Sequence, residues 1–285
     1  MELLQEIKRN KWKFPLTTTR WVLIIIALIG MTVMIYRLAT GLGTTTALND
    51  QWPWGLWIAF DVMCGVALAG GGYGTALIVY VLNRKKYYPI ARAALLTSLL
   101  GYVVVAIGLL MDIGQWFNFW RPFTSWGYTS VLFEVFICVT CYTLVQILEF
   151  GEIVTEKVGR KYHGYFKKAL PPLLIIGIIF PTLHQSSLGG LYLIMVDKLY
   201  PLWWSPLLPF FFLLSSFFVG PAMICLEGAL AQRSFNHRVP GSVYRGLVRI
   251  SGGAMVLYLV LRVYDLFQRG VFPLLLRGNV ETYLF

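Results

Sequence analysis

The sequence predicts an all-α, polytopic transmembrane bundle of about seven spanning helices with a cytoplasmic N-terminus. Three observations predict it. The chain is 58% hydrophobic and only 13% charged over 285 residues, with a mean hydropathy of +0.68. Its apolar runs reach about 20 residues, enough to cross a hydrocarbon core as helix. Its basic residues fall in alternate loops. A soluble core is excluded, and so is a β-barrel, whose strands would be about 10 residues long with a period of two.

Helix one is expected over 21–38, an uncleaved anchor because no small-x-small cleavage site follows it. Helix two (57–82) carries the run AGGGYG at 69–74. That run is not a phosphate loop, since the spacing fails and no strand precedes it, so close helix packing explains it. Helix three is expected over 92–114 and helix four over 129–150. Helix five (170–194) starts at Pro171-Pro172, tolerable in a first turn. From Leu170 to His184 is about 21 Å at 1.5 Å per residue, short of a roughly 30 Å core. Pro181, His184, Gln185, Ser186 and Ser187 are therefore expected at membrane depth, where the helix breaks against a cavity or ends early in an interfacial loop. Helices six (207–229) and seven (248–268) follow, and the tail Gly270–Phe285 is too short to recross. Short loops make consecutive helices antiparallel neighbours.

The formal charge of +11 reflects topology, and no nucleic-acid partner is implied. Lys8, Arg9, Lys11, Lys13 and Arg20 precede helix one, and Arg84, Lys85, Lys86 and Arg92 join helices two and three. Lys157, Arg160, Lys161, Lys167 and Lys168 join four and five, while Arg233, Arg238, Arg245 and Arg249 join six and seven. These are 18 of the 24 basic residues, all on one side; the opposite loops hold Arg37, Arg121 and Lys198 before the tail. By the positive-inside rule the N-terminus is cytoplasmic.

Acids inside apolar helices are the sharpest functional signal: Asp61, Asp112, Glu134, Glu227 and Asp265. A carboxylate at bilayer depth costs roughly 2.5–3.5 kcal/mol on insertion scales, and such residues mark ion, proton or substrate routes. Topology places Asp61, Asp112, Glu134, His184, Arg262 and Asp265 toward the external leaflet, Tyr102 near mid-span, and Glu227 near the cytoplasmic end. Asp61 shares a face with Gly65 and Gly72; Asp112 with Gly101 and Gly108; Glu134 with Cys138 and Cys141. Arg262 and Asp265, three apart, are placed to neutralise each other. Eight tryptophans (Trp52, Trp54, Trp57, Trp116, Trp120, Trp126, Trp203, Trp204) fall at the outer interface, against Trp12 and Trp21 at the inner one. An even belt would decorate both, so the bias suggests an outer surface that docks an apolar ring or a partner protein.

Metal chemistry is poorly supplied. A bis-histidine haem needs two intramembrane histidines, and of three histidines His163 and His237 are expected in cytoplasmic loops. All four cysteines lie in helices, and the CxxC of Cys138 and Cys141 has nothing beside it to complete a tetrahedral site. No haem or iron–sulfur cluster is therefore expected in the chain. Reduction of a quinone requires two electrons and two protons, hence an apolar slot with histidine, tyrosine or carboxyl donors near the carbonyls. His184, Asp112, Trp116 and Gln185 are the candidate quinone-binding residues, and Glu134, Tyr102, Glu227 and Asp61 the candidate proton carriers. The rival reading is a proton- or ion-coupled secondary transporter, which also uses broken helices and buried acids.

The segments NDQWPWGLWIAFDVMCGVALAGGGYG (49–74), PIARAALLTSLLGY (89–102), MDIGQWFN (111–118), SVLFE (130–134), PTLHQSSLGGL (181–191) and CLEGAL (225–230) carry a resemblance. They resemble the NrfD/PsrC polysulfide-reductase-type integral membrane subunits, and within them the HybB-type subunit of nickel–iron hydrogenase, from about Trp21 onward. The resemblance implies a single NrfD-like domain over 1–285 in the cell inner membrane, without cofactor of its own. It implies a subunit, itself not the hydrogenase, that reduces menaquinone or ubiquinone near the outer face. Electrons would come from a periplasmic ferredoxin-like [4Fe–4S] subunit and, behind it, hydrogenase subunits, with quinone chemistry coupled to proton translocation. Tyr102, Glu134, His184 and Glu227 would form the functional polar set, with Asp61 and Asp112 in support. Family bundles usually have eight to ten helices, so a chain of seven is expected to be C-terminally truncated relative to them.

Overall fold

The computed structural model describes residues 17–49, 51, 55–235 and 239–285. The readings on Lys8, Arg9, Lys11, Trp12, Lys13, Trp52, Trp54, His237 and Arg238 lie outside the described residues. Seven helices are long and apolar enough to span a membrane. They are α1 Thr18–Thr40, α2 Leu56–Val81, α3 Tyr88–Asp112, α4 Val131–Lys157, α5 Arg160–Leu193, α6 Leu208–Phe235 and α7 Gly241–Gln268. A short α8, Val280–Leu284, closes the chain. The expected spans are all present, but α3, α5 and α7 begin earlier than hydropathy alone implied and α4 runs further. Polar first and last turns extend a helix beyond its apolar stretch without lowering its backbone satisfaction.

Local chemistry accounts for several boundaries. The Thr17 side chain accepts from the Arg20 N–H at 3.4 Å at the start of α1, and Ser130 accepts from Phe133 N–H at 3.4 Å at the start of α4. Gly41, at φ 94°, ends α1 in a conformation costly for residues with a Cβ. The tight basic turn between α2 and α3 passes through Asn83 at φ 50°, which asparagine tolerates better than most residues.

The expected break in helix five is not there. α5 is continuous for 34 residues and contains Pro171, Pro172 and Pro181 in its interior. It begins ten residues before Leu170, so its length covers the span without a second segment. Pro181 removes one backbone donor, the one that would reach the Gly177 carbonyl. The hydroxyls of this turn bond elsewhere, Thr182 Oγ1 to Ile178 O at 2.7 Å and Ser186 Oγ to Leu183 O at 2.9 Å.

The irregular helix is α2. Ala59–Gly65 and Leu77–Val81 are wound as π-helix, flanking α-helical turns at Val66–Ala69 and Gly71–Ala76. No proline marks either π segment. Wide turns inside helices are infrequent and gather at functional sites. α2 is also the central helix, with 67% of its apolar window buried against 6% for α1 and 11% for α5 and α7.

Small residues bring α2 and α3 together along one antiparallel seam. A Cβ on Gly101 would stand 2.8 Å from the Ala69 Cβ, one on Gly65 3.3 Å from the Val105 methyl, and one on Gly108 2.7 Å from Asp61 Oδ2. Gly72 abuts Ser98 and the Ala94 carbonyl. The two faces read from the sequence, Asp61/Gly65/Gly72 and Gly101/Gly108/Asp112, are thus the two sides of one contact. On the other flank α2 meets α6 backbone to backbone, where a Cβ on Gly220 would lie 2.7 Å from Gly71 N and 3.0 Å from Gly70 C. This accounts for Gly70, Gly71 and Gly72 as packing, whereas a Cβ on Gly74 would meet nothing within 4 Å. Tyr73 hydroxyl and Ser216 Oγ add a hydrogen bond across the same interface.

At the end opposite the basic loops, α7 is fastened to the segment before α6. Asp265 accepts from Ser205 Oγ at 2.8 Å and pairs with Arg269 at 2.9 Å and Arg262 at 3.8 Å. Arg262 donates to Leu202 O at 2.8 Å. The expected Arg262–Asp265 neutralisation therefore exists, but Arg269 is the closer partner.

Two outcomes test these contacts by thermal unfolding in detergent. Gly220→Ala should destabilise by about 1–3 kcal/mol, because its Cβ meets backbone that cannot rotate away. Arg269→Ala should cost about 3 kcal/mol by leaving the buried Asp265 with Arg262 as its one, more distant cation beside the Ser205 hydroxyl.

Candidate functional site

α3 is the spine along which polar groups meet the core. Twenty residues separate Arg92 from Asp112, about 30 Å of rise, close to the thickness of a hydrocarbon layer. Near its middle Tyr102 and His184 are both fully buried, and the Tyr102 hydroxyl lies 2.7 Å from His184 Nε2. Tyr142 stands edge-on to Tyr102 with ring centroids 4.7 Å apart. One turn toward the basic end, the Ser98 and Tyr142 hydroxyls are 3.4 Å apart and Gln146 Nε2 donates to Ser98 Oγ at 2.5 Å. Pro181 sits one turn before His184, and Gln185 Nε2 donates to Phe212 O at 3.2 Å, tying α5 to α6. The apolar jacket of this cluster is Val66, Ala69, Val105, Val139 and Leu188.

Beyond it at the basic end lies a cavity of about 120 Å³, lined by Tyr73, Tyr80, Arg92, Tyr142, Glu149, Glu152 and Gly177 among others. That is room for several waters. Glu149 is only 5% exposed, and its Oε1 lies 2.9 Å from where a Cβ on Gly177 would stand. The Gly177 carbonyl is the one that Pro181, lacking an N–H, leaves without its helical donor. Glu152 approaches His163 at 3.8 Å, and Arg92 pairs with Glu156 at 2.6 Å at the exposed rim.

At the opposite end Asp112 is buried, with the Gly55 N–H and the Trp57 indole approaching its carboxylate and Arg37 as its neighbouring positive charge. Arg37 donates to the Ile113 carbonyl, and Trp116 Nε1 donates to Leu38 O at 3.2 Å. Those contacts hold the end of α1 on the end of α3.

The eight residues singled out from the sequence do not form one site. His184 and Tyr102 are brought together, with Gln185 on the next position of α5. Asp112 and Trp116 are not with them: ten residues of α3 separate Tyr102 from Asp112, about 15 Å. His184 sits at mid-depth, because α5 starts early and pairs it with Tyr102. Asp61 faces Gly108 between the two loci. Glu227 of α6 accepts from Thr97 Oγ1, next to Ser98. Glu134 is exposed in the first turn of α4, where its partners in the expected face, Cys138 and Cys141, are more buried. Its carboxylate suits the positive end of that helix. The outer tryptophans Trp57, Trp116, Trp120, Trp126 and Trp203 are exposed, and no group of three or more His, Cys, Asp or Glu placed to hold a metal is seen among the described residues.

Glu149, Gln146, Tyr142, Ser98 and Arg37 escaped the sequence reading. Tyr142, Gln146 and Glu149 recur at spacings of four and three on one helix face, a signal that lay inside the expected helix four but at its basic end, where polar side chains are ordinary. Arg37 reads as a loop residue until α1 is seen to continue to Thr40.

Seven spanning helices and a file of hydroxyl, imidazole, amide and carboxyl groups through their core define a multi-pass integral membrane protein built around polar contacts at every depth. The chain belongs to the NrfD family, described as polysulphide reductase, NrfD, which matches residues 44–272. A Nitratidesulfovibrio vulgaris protein is 42% identical over 215 residues, 75% of this chain and 55% of its own length. The probable Ni/Fe-hydrogenase 2 b-type cytochrome subunit of Escherichia coli is 36% identical over 262 residues, 90% of this chain and 67% of its own. The menaquinone reductase integral membrane subunit of N. vulgaris is 31% identical over 249 residues, 81% and 58%. The chain thus spans between about half and two thirds of the length of these relatives.

His184→Ala should destabilise the protein by about 1–3 kcal/mol, because it leaves the Tyr102 hydroxyl buried without a partner. Thermal unfolding in detergent measures it, and Tyr102→Phe, which keeps the ring packing on Tyr142, should cost less.

Proposed function

We propose that this chain is the quinone-reactive membrane subunit of a respiratory oxidoreductase of the inner membrane, coupling quinone reduction to proton transfer. The observation that carries the reading is the file along α3: Asp112 and Arg37 at one end, Asp61 at Gly108, Tyr102–His184 at mid-depth, Ser98, Tyr142 and Gln146 below, and Glu149 in the cavity at the other. The relatives named for hydrogenase and menaquinone reductase complexes support the same class of partner. The single domain runs over 1–285, and the positive-inside rule puts the basic end and the N-terminus in the cytoplasm. The exposed tryptophans then face the periplasm, where a ferredoxin-like [4Fe–4S] subunit docks and delivers electrons from hydrogenase or another catalytic subunit.

Reduction of menaquinone or ubiquinone to the quinol takes two electrons from that subunit and two protons. Asp112, with Trp116 beside it, serves the ring at the periplasmic end. Protons enter at the cytoplasmic cavity through Glu149 and are relayed past Gln146, Ser98, Tyr142, Tyr102 and His184 toward Asp61. Glu227, bonded to Thr97, borders this route, while the exposed Glu134 lies off it and near the docking face. A bis-histidine haem does not fit the residues described: His163 and His184 lie on one helix, 21 residues and about 31 Å apart.

Proteoliposomes containing the complex test the proposal through H2-dependent reduction of a menaquinone analogue with an internal pH dye. Glu149→Gln should slow proton uptake from the cytoplasmic side at least tenfold. Quinone reduction at the normal rate by complex lacking this chain would overturn the reading. Solute flux by the chain alone, with no redox partner, would favour a secondary transporter.

A further inference from the structure

Arg37 is the unusual residue of α1. That helix is peripheral, with 6% of its apolar window buried, yet the Arg37 side chain at its last turn is 3% exposed. Of its guanidinium nitrogens, Nη2 donates to Ile113 O, whereas Nε and Nη1 are buried without a partner. The neighbouring Asp112 is 7% exposed, and its Oδ1 is likewise buried without a partner. The two charges act on one another but form no direct ion pair. Buried donors and acceptors are ordinarily satisfied, and unmet ones call for an explanation. Opposite charges that stop short of contact, each with open hydrogen-bonding capacity, leave a place for a ligand atom that both accepts and donates.

The surroundings fit a flat ring. The Trp57 indole approaches Asp112 and the Trp116 indole is bonded to the residue after Arg37, both partly exposed.

We infer that one ring oxygen of the quinone docks between Arg37 and Asp112. As a carbonyl it accepts from Arg37 Nε–H and Nη1–H; as the hydroxyl of the quinol it donates to Asp112 Oδ1. Arg37 is thereby a ligand-binding residue that holds both oxidation states at the end of the file nearest the electron donor. This assignment rests on the quinone reading above.

The test is fluorescence quenching of 2-heptyl-4-hydroxyquinoline N-oxide, a quinone-site probe with acceptor and donor oxygens, by the complex in lipid nanodiscs. Arg37→Gln should raise the probe Kd at least tenfold, and Arg37→Lys, which keeps the charge but loses the fork, at least threefold. An Arg37→Gln complex that melts lower but binds the probe as wild type does would mean a purely structural clasp, and overturns the inference while leaving the quinone reading standing. If Arg37→Gln does not assemble, an unchanged Kd for Arg37→Lys overturns it instead. Absence of quenching by wild type would sink the quinone reading itself.

Discussion

The close approach of α2 to α3 is the constraint on which the rest of the structure depends. Helices in lipid gain nothing from hiding apolar surface, so they associate through packing and polar contacts that small residues allow. Gly65, Ala69 and Gly72 face Val105, Gly101 and Ser98, and the seam continues to Asp61 at Gly108. With α2 held that close, α4 and α5 join one cluster with it, in which Val66, Ala69 and Tyr73 of α2 pack with Tyr102 of α3, Val139 and Tyr142 of α4 and Leu188 of α5. Tyr142 and His184 then arrive on Tyr102, and Ser98 is within range of Gln146. Gly71 and Gly220 repeat the device on the other flank of α2, which makes α2 the shared wall between two groups of helices.

This geometry separates two kinds of polar chemistry. At mid-depth, Tyr102 bonds His184 and Ser98 bonds Gln146 and Tyr142, while His184 Nδ1 and Gln146 Oε1 are buried without a partner. At the two ends, carboxylates take over: Asp112 beside Arg37, and Glu149 and Glu152 around a cavity. A buried charge at the membrane centre would be the costly arrangement, and the chain avoids it by keeping its acids within reach of an edge, a cavity or a cation. The same economy explains Asp265, which is deeply buried but shared between Arg262 and Arg269 and further bonded to Ser205.

The π segments of α2 sit where this division is made. Ala59–Gly65 carries Asp61 toward Gly108, and Leu77–Val81 ends at the cavity rim by Tyr80. A wider turn changes which residues face a neighbour by a fraction of a helical step, so it re-aims side chains without a proline kink. α5 accomplishes the reverse: three prolines in its interior leave it continuous, and one of them frees the Gly177 carbonyl beside Glu149.

By itself the sequence determined the class of fold, the number of spans, the segregation of basic loops and the two small-residue faces, because each is written in composition or helical spacing. It also singled out Asp61 and Asp112 as acids at bilayer depth, His184 by its place after Pro181, and Tyr102 by the resemblance. Only the tertiary structure decided which of these meet. Depth inferred from helix ends put His184 with Asp112; the early start of α5 puts it with Tyr102 instead. Glu134 shares a helical face with the buried Cys138 and the half-buried Cys141 but is exposed, since a face is some hundred degrees wide and its edge can lie in the open. Arg37 counted with the outer loops and Glu149 drew no reading, because each lies within two residues of the end of its expected span, where a charge is ordinary. Contacts between residues 76 or 82 positions apart, Arg37 with Ile113 and Tyr102 with His184, depend on how helices pack, and no local pattern encodes that.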